Sequence, residues 1–221
     1  MSGVNKKPSS RTYGGLSNEE RKTERRERFL EAGLELFGTV GIRGAKVRAL
    51  CKEAGLTERY FYESFEDTDA LFIEVYKQQV QSIQEYFVNE LQNMPGEDLE
   101  TRTRYCLRLY FEIMRDERLV RALYVESAAG SEKVVAMHRE NTQLQVSWAA
   151  MLIKSDNAAL AKLPDDIASG AAMAINGAII NMTVQWMLGG YSLAISTLVD
   201  CCYLVVMGTM QELHKMADSQ A

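Results

Sequence analysis

Apolar residues near the start of this 221-residue chain recur at helical spacing. Phe29, Ala32, Gly33, Leu36, Phe37 and Val40 step along one face at i, i+3/4, i+7/8 and i+11, while Glu24, Glu27, Arg28 and Glu31 fall largely elsewhere. Just upstream, Ser17-Asn18-Glu19-Glu20 has capping-box spacing, so a helix over about 17–38 is predicted. The glycines of "GTVGIRG" end it. Two short helices follow at about 46–53 and 57–64, separated by Ala54-Gly55-Leu56. A long one at 68–93 closes at Pro95-Gly96, and others are expected at 98–115, 117–129 and 132–155. Pro164-Asp165-Asp166 opens the next, Gly189-Gly190 breaks it, and a last helix runs over about 192–216. With three prolines, all between periodic segments, the pattern is that of an all-α protein.

Residues 167–199 carry no charge, which is long enough to raise a membrane span. Gly189-Gly190 divides the run, however. Ser169, Asn176, Asn181, Thr183 and Gln185 interrupt it, and no cluster of Lys or Arg flanks it. Gly170, Ala174, Gly177, Ala178 and Asn181 form a small-residue stripe that permits close helix approach. The reading is a dimer interface between soluble subunits rather than a membrane-associated helical hairpin.

The net charge of −5 conceals a division. Residues 1–62 hold 13 Lys and Arg against 8 Asp and Glu, whereas 63–221 hold 12 against 22. A basic first quarter on an acidic body points to an anionic partner for that quarter alone. Residues 1–16 lack an apolar stretch and read as a flexible basic tail. Its Lys6, Lys7 and Arg11 either reach along a nucleic-acid backbone or groove or make no contact. Cys51, Cys106, Cys201 and Cys202 show neither a disulfide framework nor metal spacing, which suits a reduced, cytoplasmic setting.

Residues 47–66 read as a helix-turn-helix. Leu50, Ala54, Leu56 and Phe61 hold two helices together, Cys51 is small where they cross, and Gly55 supplies a left-handed turn. Thr57 is placed to cap the second helix. Glu58, Arg59, Tyr60, Tyr62 and Glu63 project mainly from that helix, the one that enters a major groove. Arg59 and Tyr60 are the candidates for base readout, Arg suiting guanine N7 and O6. Glu58 either accepts from a cytosine amino group or simply favours the helix N-terminus. Lys46, Arg48 and Lys52 are candidates for phosphate contact.

The stretch "VRALCKEAGLTERYFYESFEDTDALF" resembles the N-terminal DNA-binding domain of the TetR/AcrR family of transcriptional regulators. The matching residues are Phe37, Gly41, Val47, Leu50, Ala54-Gly55-Leu56, Tyr62, Phe65 and Leu71, and the likeness covers about residues 18–75. It departs at Ala45-Lys46, where the family usually has a Thr or Ser pair, and at Thr68, usually Lys; Lys46 and Arg48 are the compensating candidates. The resemblance makes Tyr62 a phosphate contact. It implies an effector-binding and dimerisation body beyond the helix-turn-helix, a homodimer formed by the last two helices, and a palindromic double-stranded operator. It also implies a small, often hydrophobic, effector enclosed by the middle helices. There Tyr86, Tyr110, Met114, Trp148, Met151, Asn176 and Trp186 are the candidate lining, with plain core as the alternative for each.

The expected division is 1–16 tail, 17–66 DNA-binding and 67–221 effector-binding and dimerising, working as a regulator and most often as a repressor. Against an enzyme of unrecognised type stand the missing phosphate-binding glycine loop, G-x-S-x-G and metal spacing. No catalytic residue, metal or cofactor is assigned.

Overall fold

A computed structural model describes residues 17–92 and 98–219. The basic tail and the Pro95-Gly96 helix end therefore lie outside the described residues. Helix α1, Asn18–Thr39, opens with the expected capping box: the Ser17 hydroxyl accepts from the Glu20 N–H while the Glu20 carboxylate accepts from the Ser17 N–H. Phe29, Ala32, Gly33 and Phe37 are buried on its inner face, but Val40 lies past the helix end and is exposed. Then come α2 (Gly41–Gly44), α3 (Val47–Ala54), α4 (Glu58–Ser64) and α5 (Thr68–Gln92). Beyond them lie α6 (Leu99–Ile113) and α7 (Glu117–Val120), a π-helical turn at Arg121–Glu126, and α8 (Ser127–Ala129). Helix α9 (Glu132–Ser155), a 3-10 turn at Leu160–Lys162, α10 (Asp165–Leu188) and α11 (Ile195–Asp218) complete the chain. Among the described residues there is no strand, in agreement with the all-α expectation.

Two departures have physical causes. The helix expected over 117–129 widens into the π turn, whose extra residue lets Val120 and Leu123 both pack into the core around α1 while Tyr124 faces the helical body. The last helix starts at Ile195 rather than near Ser192. Gly190 and Tyr191 are both left-handed (φ 65° and 57°), and the Trp186 indole N–H donates to the Leu193 carbonyl at 2.9 Å, fixing the turn before the helix.

Helix α1 packs against α3, α5 and the segment from α7 through the π turn; α10 lies along α9, and α11 along α6. One buried cluster joins Phe29, Phe37, Leu50, Phe61, Phe65, Leu71 and Phe72 to Val120, Leu123, Val134 and Met187. The apolar core of the helix-turn-helix thus continues into the larger body. Within it Phe29 meets Phe61 edge-on at 5.4 Å, and Phe61 lies 5.8 Å from Phe65. Burying each such ring stabilises the fold by about 1.5–3 kcal/mol. Helix α10 is long and apolar enough to cross a membrane by length and composition.

Candidate nucleic-acid interface and effector cavity

The turn between α3 and α4 is built as its sequence requires. Gly55 is left-handed (φ 62°), and the Leu56 N–H closes onto the Cys51 carbonyl at 2.9 Å. A side chain at Gly55 would be strained by that φ and would also crowd the Arg28 guanidinium. Phe61 is fully buried against Phe29, so the opposite face of α4 is fixed outward. That face carries Glu58, Arg59, Tyr62 and Glu63, all exposed. The Arg59 side chain is 83% exposed and its Nε donates to Glu63 Oε1 at 2.9 Å, one turn along. Lys46, Arg48 and Lys52 are exposed on or next to α3.

Two expected details differ. Tyr60 does not project: it is half-buried against the core, with the Arg25 guanidinium 4.4 Å above its ring. On so short a helix it stands opposite the outward face, which leaves Arg59 and Tyr62 as that face's long donor side chains. Thr57 occupies the N-cap position with extended backbone, yet its side chain makes no capping bond and is exposed. Cys51 is buried, and burial pushes its thiol up, away from ionisation.

The π turn joins this head to the body. Glu126 Oε2 accepts the Ile42 N–H at 2.9 Å, holding α2. Nearby, Arg118 donates to Glu35 on α1 at 2.8 Å and to Asp116 at 2.7 Å. The α1 backbone at Gly38 lies so close to Arg118 that any Cβ there would overlap it.

Two residues from Glu126, Tyr124 lines a cavity of about 210 Å³ inside the body. Helix α5 contributes Tyr76, Val80, Ile83 and Gln84; Tyr110 and Met114 come from α6 and its end, and Leu123 from the π turn. Gln145 of α9 and Asn176, Ile179 and Ile180 of α10 complete the lining, so no charged side chain faces it. Tyr110 lies 3.2 Å from Tyr124, hydroxyl to hydroxyl, and 3.0 Å from the Thr183 hydroxyl. Burial pushes both phenols up, and pushes Tyr76 up to about 12. The Asn141 amide donates to the Tyr76 hydroxyl at 2.9 Å. His138, beside Ser127 at 3.1 Å, is held below its ordinary value by burial, which leaves it neutral near pH 7. A wider groove of about 740 Å³ lies where α2, the start of α5 and the π turn meet. Arg43, Lys46, Asp69 and Glu126 make its walls polar and of mixed sign, so an apolar ligand gains less there.

Of the expected lining residues, Tyr110, Met114 and Asn176 face the cavity. Tyr86, Trp148 and Met151 instead stand on the surface, Trp148 at 64% exposure. Trp186 is buried elsewhere, 5.8 Å from Phe111 and 4.7 Å from Tyr191. Sequence reasoning missed Tyr76, Val80 and Ile83, although their i, i+4, i+7 spacing on α5 marks one inward stripe. On α10, Gly170, Ala174, Gly177 and Asn181 share an exposed face with Met173, and Ala178 is half-buried beside it. A Cβ at Gly170 or Gly177 would meet nothing within 4 Å.

A two-helix reader with an outward Arg and Tyr, set on a helical body, defines a helix-turn-helix DNA-binding protein. Residues 29–75 match the model of bacterial regulatory proteins of the tetR family. Within this chain the likeness to that family is thus to its DNA-binding domain, and it spans the helix-turn-helix described above. No curated protein matches the sequence. Solved structures extend the likeness in fold over the rest. A protein of Pseudomonas aeruginosa PAO1 described as a transcriptional regulator is 21% identical, with a TM-score of 0.70 over 91% of this chain and 95% of its own. The fatty acid degradation regulator FadR of Bacillus halodurans is 15% identical, with a TM-score of 0.65 over 82% and 94%. FadR of Bacillus subtilis, solved in complex with stearoyl-CoA, is 15% identical, with a TM-score of 0.65 over 82% and 98%.

Proposed function

We propose that this regulator is a homodimeric, effector-responsive repressor of the cytoplasm, without enzymatic activity, which reads a palindromic operator and leaves it when a small hydrophobic molecule occupies the body. Residues 17–66 read DNA; residues 67–221 bind effector and dimerise. Arg59 reaches base edges, while Tyr62, Lys46, Arg48, Thr57 and Glu58 set the docking.

The observation that carries the reading is the π turn. It places Tyr124 in the cavity wall and Glu126 on the connection into the helix-turn-helix, two residues apart. A ligand that displaces Tyr124 acts on the seat of α2 through the same turn, and α5 supplies a second route because it runs from the reader to the cavity. The stearoyl-CoA in the Bacillus subtilis neighbour supports a small-molecule effector. For the dimer, the support is the open small-residue face of α10 together with Leu204, 70% exposed, and Gly208 on α11. These give two adjoining helices an apolar surface that a second copy covers.

The test is selection of genomic fragments by purified protein, followed by fluorescence anisotropy across salt concentrations. A palindrome whose affinity falls steeply with salt is expected. Folded, ligand-stripped protein that recovers no sequence above background would sink the reading.

A further inference from the structure

The cavity also constrains what fills it, on the effector reading given above. We infer that this chain takes an uncharged molecule about the size of one substituted ring, with an apolar body and a neutral hydrogen-bonding head, and not a long-chain or ionised ligand.

Size comes first. A cavity of about 150 Å³ holds one benzene-sized ring, so one of about 210 Å³ buries a ring and only a few more heavy atoms, and the rest of a long chain would lie outside it. Charge comes second. The lining has no Lys, Arg or His to meet a carboxylate or phosphate, and no Asp or Glu to meet an amine. An ion placed there would lose its hydration with no opposite charge in return.

The head group follows from hydroxyl bookkeeping between α6, α10 and the π turn. Thr183, Tyr110 and Tyr124 form a chain of three hydroxyls, with the Ile179 carbonyl beyond Thr183 at 2.9 Å. If Thr183 donates to that carbonyl, each phenol donates towards Thr183 and the Tyr124 oxygen is left accepting. If Thr183 donates to Tyr110, the order reverses and Tyr124 has a proton to give. Tyr124 therefore meets either a donor or an acceptor, as a phenol, alcohol or ketone presents. Asn176 on α10 faces the same space with both donor and acceptor atoms. The apolar floor is Val80, Ile179 and Ile180.

The experiment is isothermal calorimetry on the full-length, ligand-stripped protein near pH 7.5, with operator release followed in parallel. The neutral probes are 4-ethylphenol, benzyl alcohol and acetophenone; the ionised ones are benzoate and phenylacetate; stearoyl-CoA is the long-chain probe. At least one neutral probe should bind saturably, at least tenfold more tightly than either anion and more tightly than stearoyl-CoA. Ile180→Trp, which fills the space, should weaken it at least tenfold, and Tyr124→Phe at least threefold. Should Ile180→Trp fail to fold, Asn176→Leu is the second variant and should weaken binding at least threefold. Failure of all three neutral probes, equal binding of an anion, tighter binding of stearoyl-CoA, or indifference to these substitutions each overturns the inference. Stearoyl-CoA alone binding and releasing operator would overturn the ligand class and leave the effector reading standing. Neutral probes that bind in the cavity without releasing operator would do the reverse.

Discussion

Glu126 and Ile42 meet across the junction of reader and body, the carboxylate accepting the backbone N–H at 2.9 Å. This charge-assisted bond is the direct hold of the π turn on α2. Hydrogen bonds to charged groups contribute about 1.5–3 kcal/mol. Glu126→Ala should lower stability by about 1–2 kcal/mol in urea denaturation and reduce the change in operator affinity that a bound effector produces. Unaltered coupling in this variant would remove the π turn from the signalling path.

Gly38→Ala tests the packing of α1 on Arg118. In an open helix the change would stabilise by roughly 1 kcal/mol. Here the added Cβ overlaps Arg118, so a net loss of roughly 1–3 kcal/mol is expected. A rise in melting temperature would show that the two segments separate easily.

Arg59→Ala and Lys46→Ala should behave differently in anisotropy titrations. A base-reading Arg59 costs about 1–3 kcal/mol on loss and relaxes sequence preference at one position. A phosphate-bound Lys46 weakens all sequences alike and lowers the salt slope by about one. Tyr62→Phe, which removes one exposed hydroxyl and keeps the ring against Phe61, should weaken binding without altering stability.

Gly177→Arg puts a long charge on the open face of α10, where nothing in the protomer lies within 4 Å. Helicity should be unchanged by circular dichroism while sedimentation shifts from dimer to monomer. A variant that stays dimeric would place the interface elsewhere.

Acid should destabilise the protein in part through His138, whose Nδ1 faces Tyr76 and Ser127. Its folded pKa lies below the unfolded value of about 6.5. Above that value the contribution is fully present; it is lost as pH falls from there through the folded pKa. Urea midpoints for the protein and for His138→Gln should converge towards pH 5, and a constant gap between pH 5 and 8 would rule this contribution out.

The helix boundaries were legible because caps and breakers are local: Ser17 with Glu20, Gly55, and Gly189-Gly190 each act within a few residues. The π turn was not, since its cause is the packing of Val120 and Leu123 against a helix some eighty residues earlier. The same distance effect governs the two sites. The outward placement of Arg59 and Tyr62 followed from a compact motif, but Tyr60 was misplaced because Arg25, on another helix, covers its ring. In the body, aromatic content marked Trp148 and Met151 as readily as Tyr110. The packing of α6 on α11, with the Tyr110 hydroxyl bonded to Thr183, decides that Tyr110 faces the interior, and the packing of α9 on α10 leaves Trp148 facing outward.

The cluster running from Phe29 and Phe61 to Val120, Leu123 and Met187 bears on engineering. A hybrid regulator made by grafting residues 17–66 onto a foreign body would need a matching patch beneath α1, or it would leave Phe37, Gly38 and Leu36 facing water. On the proposed reading, transplanted specificity is therefore better sought by exchanging the outward residues Glu58, Arg59, Tyr62 and Glu63 on the native scaffold than by exchanging the whole head.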